Sequence, residues 1–194
     1  VLEMGLGSVE QYCKKINQAA EHLPAGSRAA LAVNCNPFTL GHKAVIGQAA
    51  AENDGVIVFV VSEDQSLFPF PDRFRLVQAG VAEFANVAVV PGGDYIISAA
   101  TFPGYFTREG EVVTAQTRLD ATLFARRIAP PLGISARYAG EEPYDPVTNA
   151  YNQATLLQAG ANDLVIKPIE ERLLITKVLF QLRLSRLAVP AAIL

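Results

Sequence analysis

An unbroken apolar run, Val56–Val61, in which every residue but Phe59 is β-branched, most limits what this chain can fold into. A strand with no polar face must be covered on both sides, as in a parallel sheet with helices above and below it. The run is also far shorter than the ~20 residues that cross a bilayer as a helix. The sequence around it alternates in the same sense. Ala29–Cys35, Asn86–Val90, Ile134–Ala139 and Leu164–Ile169 are the other predicted strands. Between them, His42–Asn53 carries Val45, Ile46, Ala49 and Ala50 at helical spacing, and Asp72 can cap a helix running to about Glu83 with Phe74, Val77 and Val81 inward. Thr114–Ile128 is a longer helix stopped by Pro130, Pro131 and Gly133, while Val147–Ala159 and Thr176–Leu187 are the last two. The expected fold is α/β: a Rossmann-like, parallel, five-stranded sheet with helices on both faces. Residues 1–28, polar and weakly helical before a Pro24–Ser27 linker, read as an appendage or the remnant of an upstream domain, and residues 29–194 as the main domain. A chain that starts with Val1 is expected to be a fragment of something longer.

In such a sheet ligands bind outside the carboxyl ends of the strands, where strand order reverses. The first of those loops, Asn34–Lys43, delivers Thr39, His42 and Lys43 to the start of a helix, where free N–H groups and the helix dipole favour phosphate. The loop matches neither GxxxxGK[ST] nor GxGxxG. Instead Thr39-Leu40-Gly41-His42 resembles the T/HxGH signature of nucleotidylyltransferases. A plainer alternative is a half-buried histidine satisfied by a backbone carbonyl. Cys35, among strand residues, reads as inert packing.

Further segments occur in one order: Asn34–His42, Phe68–Arg73, Tyr95–Phe106, Ile128–Gly133, Gly140–Pro143 and Tyr151–Gln153. Together they resemble the C-terminal catalytic domain of the citrate (pro-3S)-lyase ligases (acetate:citrate lyase ligases), a nucleotidylyltransferase family of HUP-like fold. The resemblance covers about Ala29 to Gln153. It implies ATP-dependent activation of acetate as acetyl-adenylate, with pyrophosphate released. The acetyl group then passes to the thiol of a CoA-like prosthetic group on the citrate lyase acyl carrier (gamma) subunit. An acetyltransferase-like domain usually precedes this one in the family, and residues 1–28 fit a truncated connection to it.

On that reading His42 donates to the α-phosphate, Thr39 and the following N–H groups hold adjacent oxygens, and Lys43 reaches a phosphate or lies exposed on the first helical turn. Asn36, Pro37, Phe38, Gly41, Arg73, Gly92, Gly140, Glu142 and Thr176 are the nucleotide-binding candidates. Arg73 either meets phosphate or pairs with a carboxylate. Thr101–Tyr105 forms a wall of the acetate or pantetheine pocket, and Gly140–Pro143 lies by the adenine or ribose. Mg²⁺ is expected with the triphosphate, held mostly by phosphate and water.

The family's second signature, ISxSxxR, is incomplete. Ile175-Thr176-Lys177-Val178 resembles its tail, but a leucine, Leu179, follows where the arginine belongs, and Arg183 and Arg186 are weak substitutes. The stretch from Gln158 onward is compressed. The expectation is that polar connections are absent from this stretch, not that the phosphate clamp has been lost.

Composition narrows the alternatives. With 51% hydrophobic residues, 18% charged and a net charge of −3, neither disorder nor nucleic-acid or anionic-membrane binding is expected. The two cysteines, Cys13 and Cys35, form no CxxC and fit a reducing cytoplasm. Two other functions stay open. One is an adenylyltransferase acting on 4'-phosphopantetheine or a mononucleotide, which a count of only 16 lysines and arginines disfavours. The other is a nucleotide-binding module without turnover.

Overall fold

The computed structural model describes residues 8–64, 66–101, 110–140, 164–166 and 175–178. Helix α1 (Val9–Ala19) comes first, then β1 (Arg28–Val33), α2 (Leu40–Glu52), β2 (Gly55–Val60), α3 (Phe70–Val81) and β3 (Val87–Pro91). Helix α4 (Gly110–Leu123) runs into a π-helical turn, Phe124–Ile128, and a 3₁₀ turn, Pro130–Leu132, ahead of β4 (Ile134–Gly140). Two short strands, β5 (Leu164–Ile166) and β6 (Ile175–Val178), complete the sheet in the order β3-β2-β1-β4-β6-β5.

The four strands β3, β2, β1 and β4 are mutually parallel, with Ala30 opposite Ile57 and Leu31 opposite Tyr138. The apolar run explains itself in cross-section. Ile57, Phe59 and Val61 point to one face, against Val9, Cys13, Ile16, Phe124 and Ile128, while Val56, Val58 and Val60 point to the other, against Val45, Ile46, Ala49, Val77 and Val81. Period-two alternation in a strand covered by helices on both sides leaves no position for a polar residue. Each side chain so buried contributes about 1.5–3 kcal/mol relative to exposure.

Residues 8–28, expected as an appendage, lay α1 on the first of these faces and bury Val9, Cys13, Ile16, Ala20 and Leu23 in its core. Ser8 starts that helix by accepting from the Gln11 amide at 3.3 Å.

Three local expectations are corrected. Asp72 is not the cap of α3: the helix begins at Phe70 after Pro69, and Asp72 lies in its first turn with Arg75 at 2.5 Å. Proline at the second helical position needs no N–H partner, so the helix extends further back than a side-chain cap would allow. Thr176 lies in a strand instead of at the start of a helix, because β6 pairs antiparallel with β4, Thr176 opposite Ala139. The predicted fifth parallel strand is the three-residue β5, antiparallel to β6, so the parallel part has four strands. The predicted helix Val147–Ala159 falls outside the described residues.

Candidate functional site

The order β3-β2-β1-β4 reverses direction at β1. Chain leaves β1 for β2 on one side, while β4 lies on the other, so the carboxyl ends of β1 and β4 mark the switch point where a sheet of this order offers a ligand crevice. The β1 loop at this crevice is tightly shaped. Cys35 takes a left-handed conformation (φ 50°), the Asn36–Pro37 peptide is cis, and Thr39 is the N-cap of α2. Cys35 is buried, and burial pushes its thiol up to about 12, which fits packing and not nucleophilic use.

Thr39 and His42 close a reciprocal capping box. The Thr39 Oγ1 accepts from the His42 amide at 3.4 Å, and the His42 Nδ1 accepts from the Thr39 amide at 3.1 Å. Glutamate or glutamine usually fills the second role; here an imidazole does. An Nδ1 that accepts from a backbone N–H carries no proton, so the neutral ring bears its proton on Nε2. Desolvation by burial lowers the His42 pKa, in keeping with a neutral ring. The Thr39 hydroxyl lies 2.8 Å from the same Nδ1, and the Phe38 ring stacks on the imidazole with centroids 5.9 Å apart and planes 25° apart.

Arg73, on α3, braces the edge. It is 0% exposed. Its Nη1 donates to the Asn34 carbonyl (3.0 Å), the Asn34 Oδ1 (2.9 Å) and the Val61 carbonyl (2.8 Å). Its Nη2 donates to the Glu63 carbonyl (2.8 Å) and its Nε to the Phe68 carbonyl (2.9 Å). The brace continues through side chains. Asn36 Oδ1 accepts from the Phe68 amide (3.0 Å), Glu63 Oε1 from the Ala99 amide (2.6 Å), and Ser62 Oγ from the Gly93 amide (2.9 Å). The loops after β1, β2 and β3 are thereby one hydrogen-bonded unit. Behind them, buried Asp120 accepts from the Ile97 amide (2.9 Å) and the Thr101 hydroxyl (2.8 Å). That contact holds Ile97 at φ 48°, a left-handed conformation costing a side-chain-bearing residue roughly 1–2 kcal/mol.

Comparison with known proteins accords with this architecture. Residues 28–174 match the family model of the citrate lyase ligase C-terminal domain. The chain belongs to this family. It is 39% identical over 173 residues to the citrate (pro-3S)-lyase ligase of Klebsiella pneumoniae, covering 88% of this chain and 50% of that protein. The ligases of Escherichia coli K12 (40% over 151 residues) and Haemophilus influenzae (40% over 145 residues) match 75% and 72% of this chain, and 43% of their own length in each case. The chain thus spans about half the length of the curated relatives it matches.

Within this citrate lyase ligase domain, the structure brings some of the sequence candidates together and keeps others apart. Asn36, Pro37, Phe38, Thr39, Gly41 and His42 share the β1 loop and the first turn of α2. Lys43 follows them, and its Nζ is engaged by Glu83 at 2.8 Å. Gly92, at the end of β3, donates to the Val60 carbonyl at 2.7 Å, and a Cβ there would come to 3.1 Å of that oxygen, so the close approach explains the glycine. Arg73 directs its donors to backbone carbonyls and to the Asn34 Oδ1, with Asp64 Oδ1 3.8 Å from Nη2. Gly140 ends β4 opposite Ile175, and Thr176 is its neighbour across the same ladder. Glu142 and residues 102–105 of the predicted pocket wall lie outside the described residues. Sequence reasoning gave no role to Glu63 or Asp120. Asp120 had a readable signal: with Thr117, Ala121 and Phe124 it falls on one helical stripe, and all four are buried. No helix among the described residues is long and apolar enough to cross a membrane.

Proposed function

We propose that this domain binds ATP at the β1 loop, adenylates acetate, and transfers the acetyl group to the thiol of a CoA-like prosthetic group on the citrate lyase acyl carrier subunit. The observation that carries the reading is the capping box: a neutral His42, its Nδ1 held by Thr39 at the N-terminus of α2, beside the crevice where strand order reverses. Family membership, and relatives that are citrate (pro-3S)-lyase ligases, support citrate lyase as the acceptor.

In this mechanism the triphosphate lies across the N-terminus of α2, where unpaired amides and the helix dipole favour anions. His42 Nε2–H donates to an α-phosphoryl oxygen and the Gly41 backbone holds neighbouring oxygens, while the Thr39 hydroxyl, whose one proton faces the unprotonated Nδ1, orients the ring. Acetate attacks the α-phosphorus in line with the departing pyrophosphate, so an O–P bond forms as another breaks. The thiolate of the carrier then attacks the acetyl carbon, AMP leaves, and a thioester remains. Asn36, Pro37 and Phe38 shape the loop, and Gly92 and Gly140 let backbone approach the nucleotide. Glu142 is assigned to the ribose or adenine, Thr176 to the distal phosphates, and Lys43 to a phosphate once released by Glu83. Magnesium enters as part of the substrate Mg·ATP. Among the described residues no group of three His, Cys, Asp or Glu stands together as a metal cage, and no step is assigned to a protein-held ion. Residues 29–194 carry the catalytic residues, α1 packs into the core of the same unit, and the reaction runs in the cytoplasm.

The test is pyrophosphate release from ATP that depends on both acetate and thiol-form carrier subunit. His42→Ala is expected to lower the rate about 10²–10³-fold while keeping the fold. Release that depends on 4'-phosphopantetheine and ignores acetate would move the chain to another acceptor. ATP binding with no AMP formed would make it a binding module.

A further inference from the structure

We propose that Gly80, on α3, is a positioning residue for His42, acting only through the ring of Phe38. Gly80 lies inside α3 next to its last residue, between buried Val77 and Val81, where local propensity favours alanine. Packing supplies the reason for glycine. A Cβ at Gly80 would lie 2.8 Å from both Cδ1 and Cζ of Phe38, and closer still to Cε1, distances that side-chain carbons do not tolerate. The Phe38 ring therefore rests directly on the α3 backbone. The same ring stacks on the imidazole of His42, at 5.9 Å and 25°.

Three contacts then fix the catalytic ring. The Thr39 amide and hydroxyl hold Nδ1, at 3.1 and 2.8 Å, and Phe38 sets the plane of the ring. Helix α3 is tied in place beside them: Lys43, adjacent to His42, pairs with Glu83 just beyond α3, and Arg73 anchors the first turns of α3 to the β1 and β2 loops. A side chain at position 80 meets a ring on one side and an anchored helix on the other, so the ring is what moves. A misplacement of about 1 Å at a reacting group can cost about 10²-fold in rate.

The catalytic half of this inference rests on the function proposed above; the geometric half does not. The test uses the full chain with Gly80→Ala, Phe38→Leu and the double variant. Two readouts are taken: the His42 ring-proton resonances, and acetate-dependent pyrophosphate release. His22, with its Nε2 3.5 Å from the Val87 carbonyl, is the internal control. Gly80→Ala is expected to shift the His42 resonances but not those of His22. It should lower kcat about 10–10²-fold with KM for ATP changed less than about threefold. The double variant should match Phe38→Leu alone, because the two positions act through one ring. A Gly80→Ala chain that folds only when Phe38→Leu is added supports the same contact. Unmoved His42 resonances, effects that multiply in the double variant, or loss of folding that Phe38→Leu fails to relieve would each overturn it. Shifted resonances with no turnover in the unsubstituted chain would leave Gly80 standing and remove the proposed activity instead.

Discussion

One nitrogen of Arg73, Nη1, holds both the main chain and the side chain of Asn34, at 3.0 Å from the carbonyl and 2.9 Å from Oδ1. Asn34 is the first residue beyond β1, so the guanidinium governs how the candidate phosphate loop leaves the sheet. The remaining donors reach Val61, Glu63 and Phe68, all within or flanking the β2 loop. A planar fork with five N–H groups suits this arrangement, and a lysine ammonium, a point donor on a flexible stem, does not.

Arg73→Lys should therefore leave at least two buried carbonyls unsatisfied and cost about 2–5 kcal/mol in urea unfolding. Turnover should fall more than about tenfold, chiefly in kcat. If Arg73 instead served ATP directly, the variant would keep its stability and raise KM for ATP, so the two measurements separate the roles.

The His42 cap makes stability depend on pH in a definite direction. Burial holds the folded-state pKa below the ordinary 6.5. The unfolded chain then binds the proton first. Its contribution is complete above about pH 6.5, is lost as pH falls from there toward the folded value, and is level below it. His42→Gln keeps an acceptor for the Thr39 amide and does not titrate, so it serves as the reference. The difference in unfolding free energy, wild type minus variant, should shrink between pH 7.5 and 5.5. The carboxyls of Glu10 and Asp54, also held low, are present in both proteins and cancel. For Glu10 a backbone hydrogen bond dominates, followed by the Arg127 side chain; for Asp54 it is the amide and then the hydroxyl of Ser27. Parallel curves for the two proteins would mean that His42 is not held neutral in the fold.

How far these features were legible follows from which residues carry local signals. Val56–Val61 announces a strand covered on both faces, because period-two geometry leaves an all-apolar strand no exposed side. Thr39 and His42 announce a loop-to-helix junction by their spacing, though that spacing does not reveal the reciprocal cap, since histidine is an unusual partner in a capping box. Arg73 left two readings open, a phosphate contact or a carboxylate partner, for a physical reason. The carbonyls of the β1 and β2 loops that take its donors, with Asp64 at 3.8 Å, are brought together only by the fold, and nothing local in the sequence counts those acceptors. Segment 8–28 looked polar because α1 is amphipathic: one stripe, Val9–Cys13–Ile16–Ala20, meets the sheet, while the rest of the helix stays largely exposed. Near β6 the period gave no warning that Ile175–Val178 would pair with β4, since short apolar runs fit helix and strand alike.

Thr39 offers the sharpest separation between holding the loop and serving the reaction. Its hydroxyl accepts from the His42 amide at 3.4 Å and lies 2.8 Å from the His42 Nδ1, so one oxygen serves both the helix start and the imidazole. Thr39→Ser keeps that oxygen, and its stability and rate should stay within about twofold of the unsubstituted chain. Thr39→Val keeps the shape and deletes the oxygen. It should lose about 1 kcal/mol of stability, the usual worth of an N-cap, measured by urea unfolding. The rate should fall by more than this stability loss accounts for, because Nδ1 loses one of its two contacts and the ring gains freedom to turn out of line. Measuring turnover where both variants are fully folded isolates the second effect. A valine variant that turns over as fast as the serine variant there would show that the threonine oxygen caps the helix and takes no part in orienting His42.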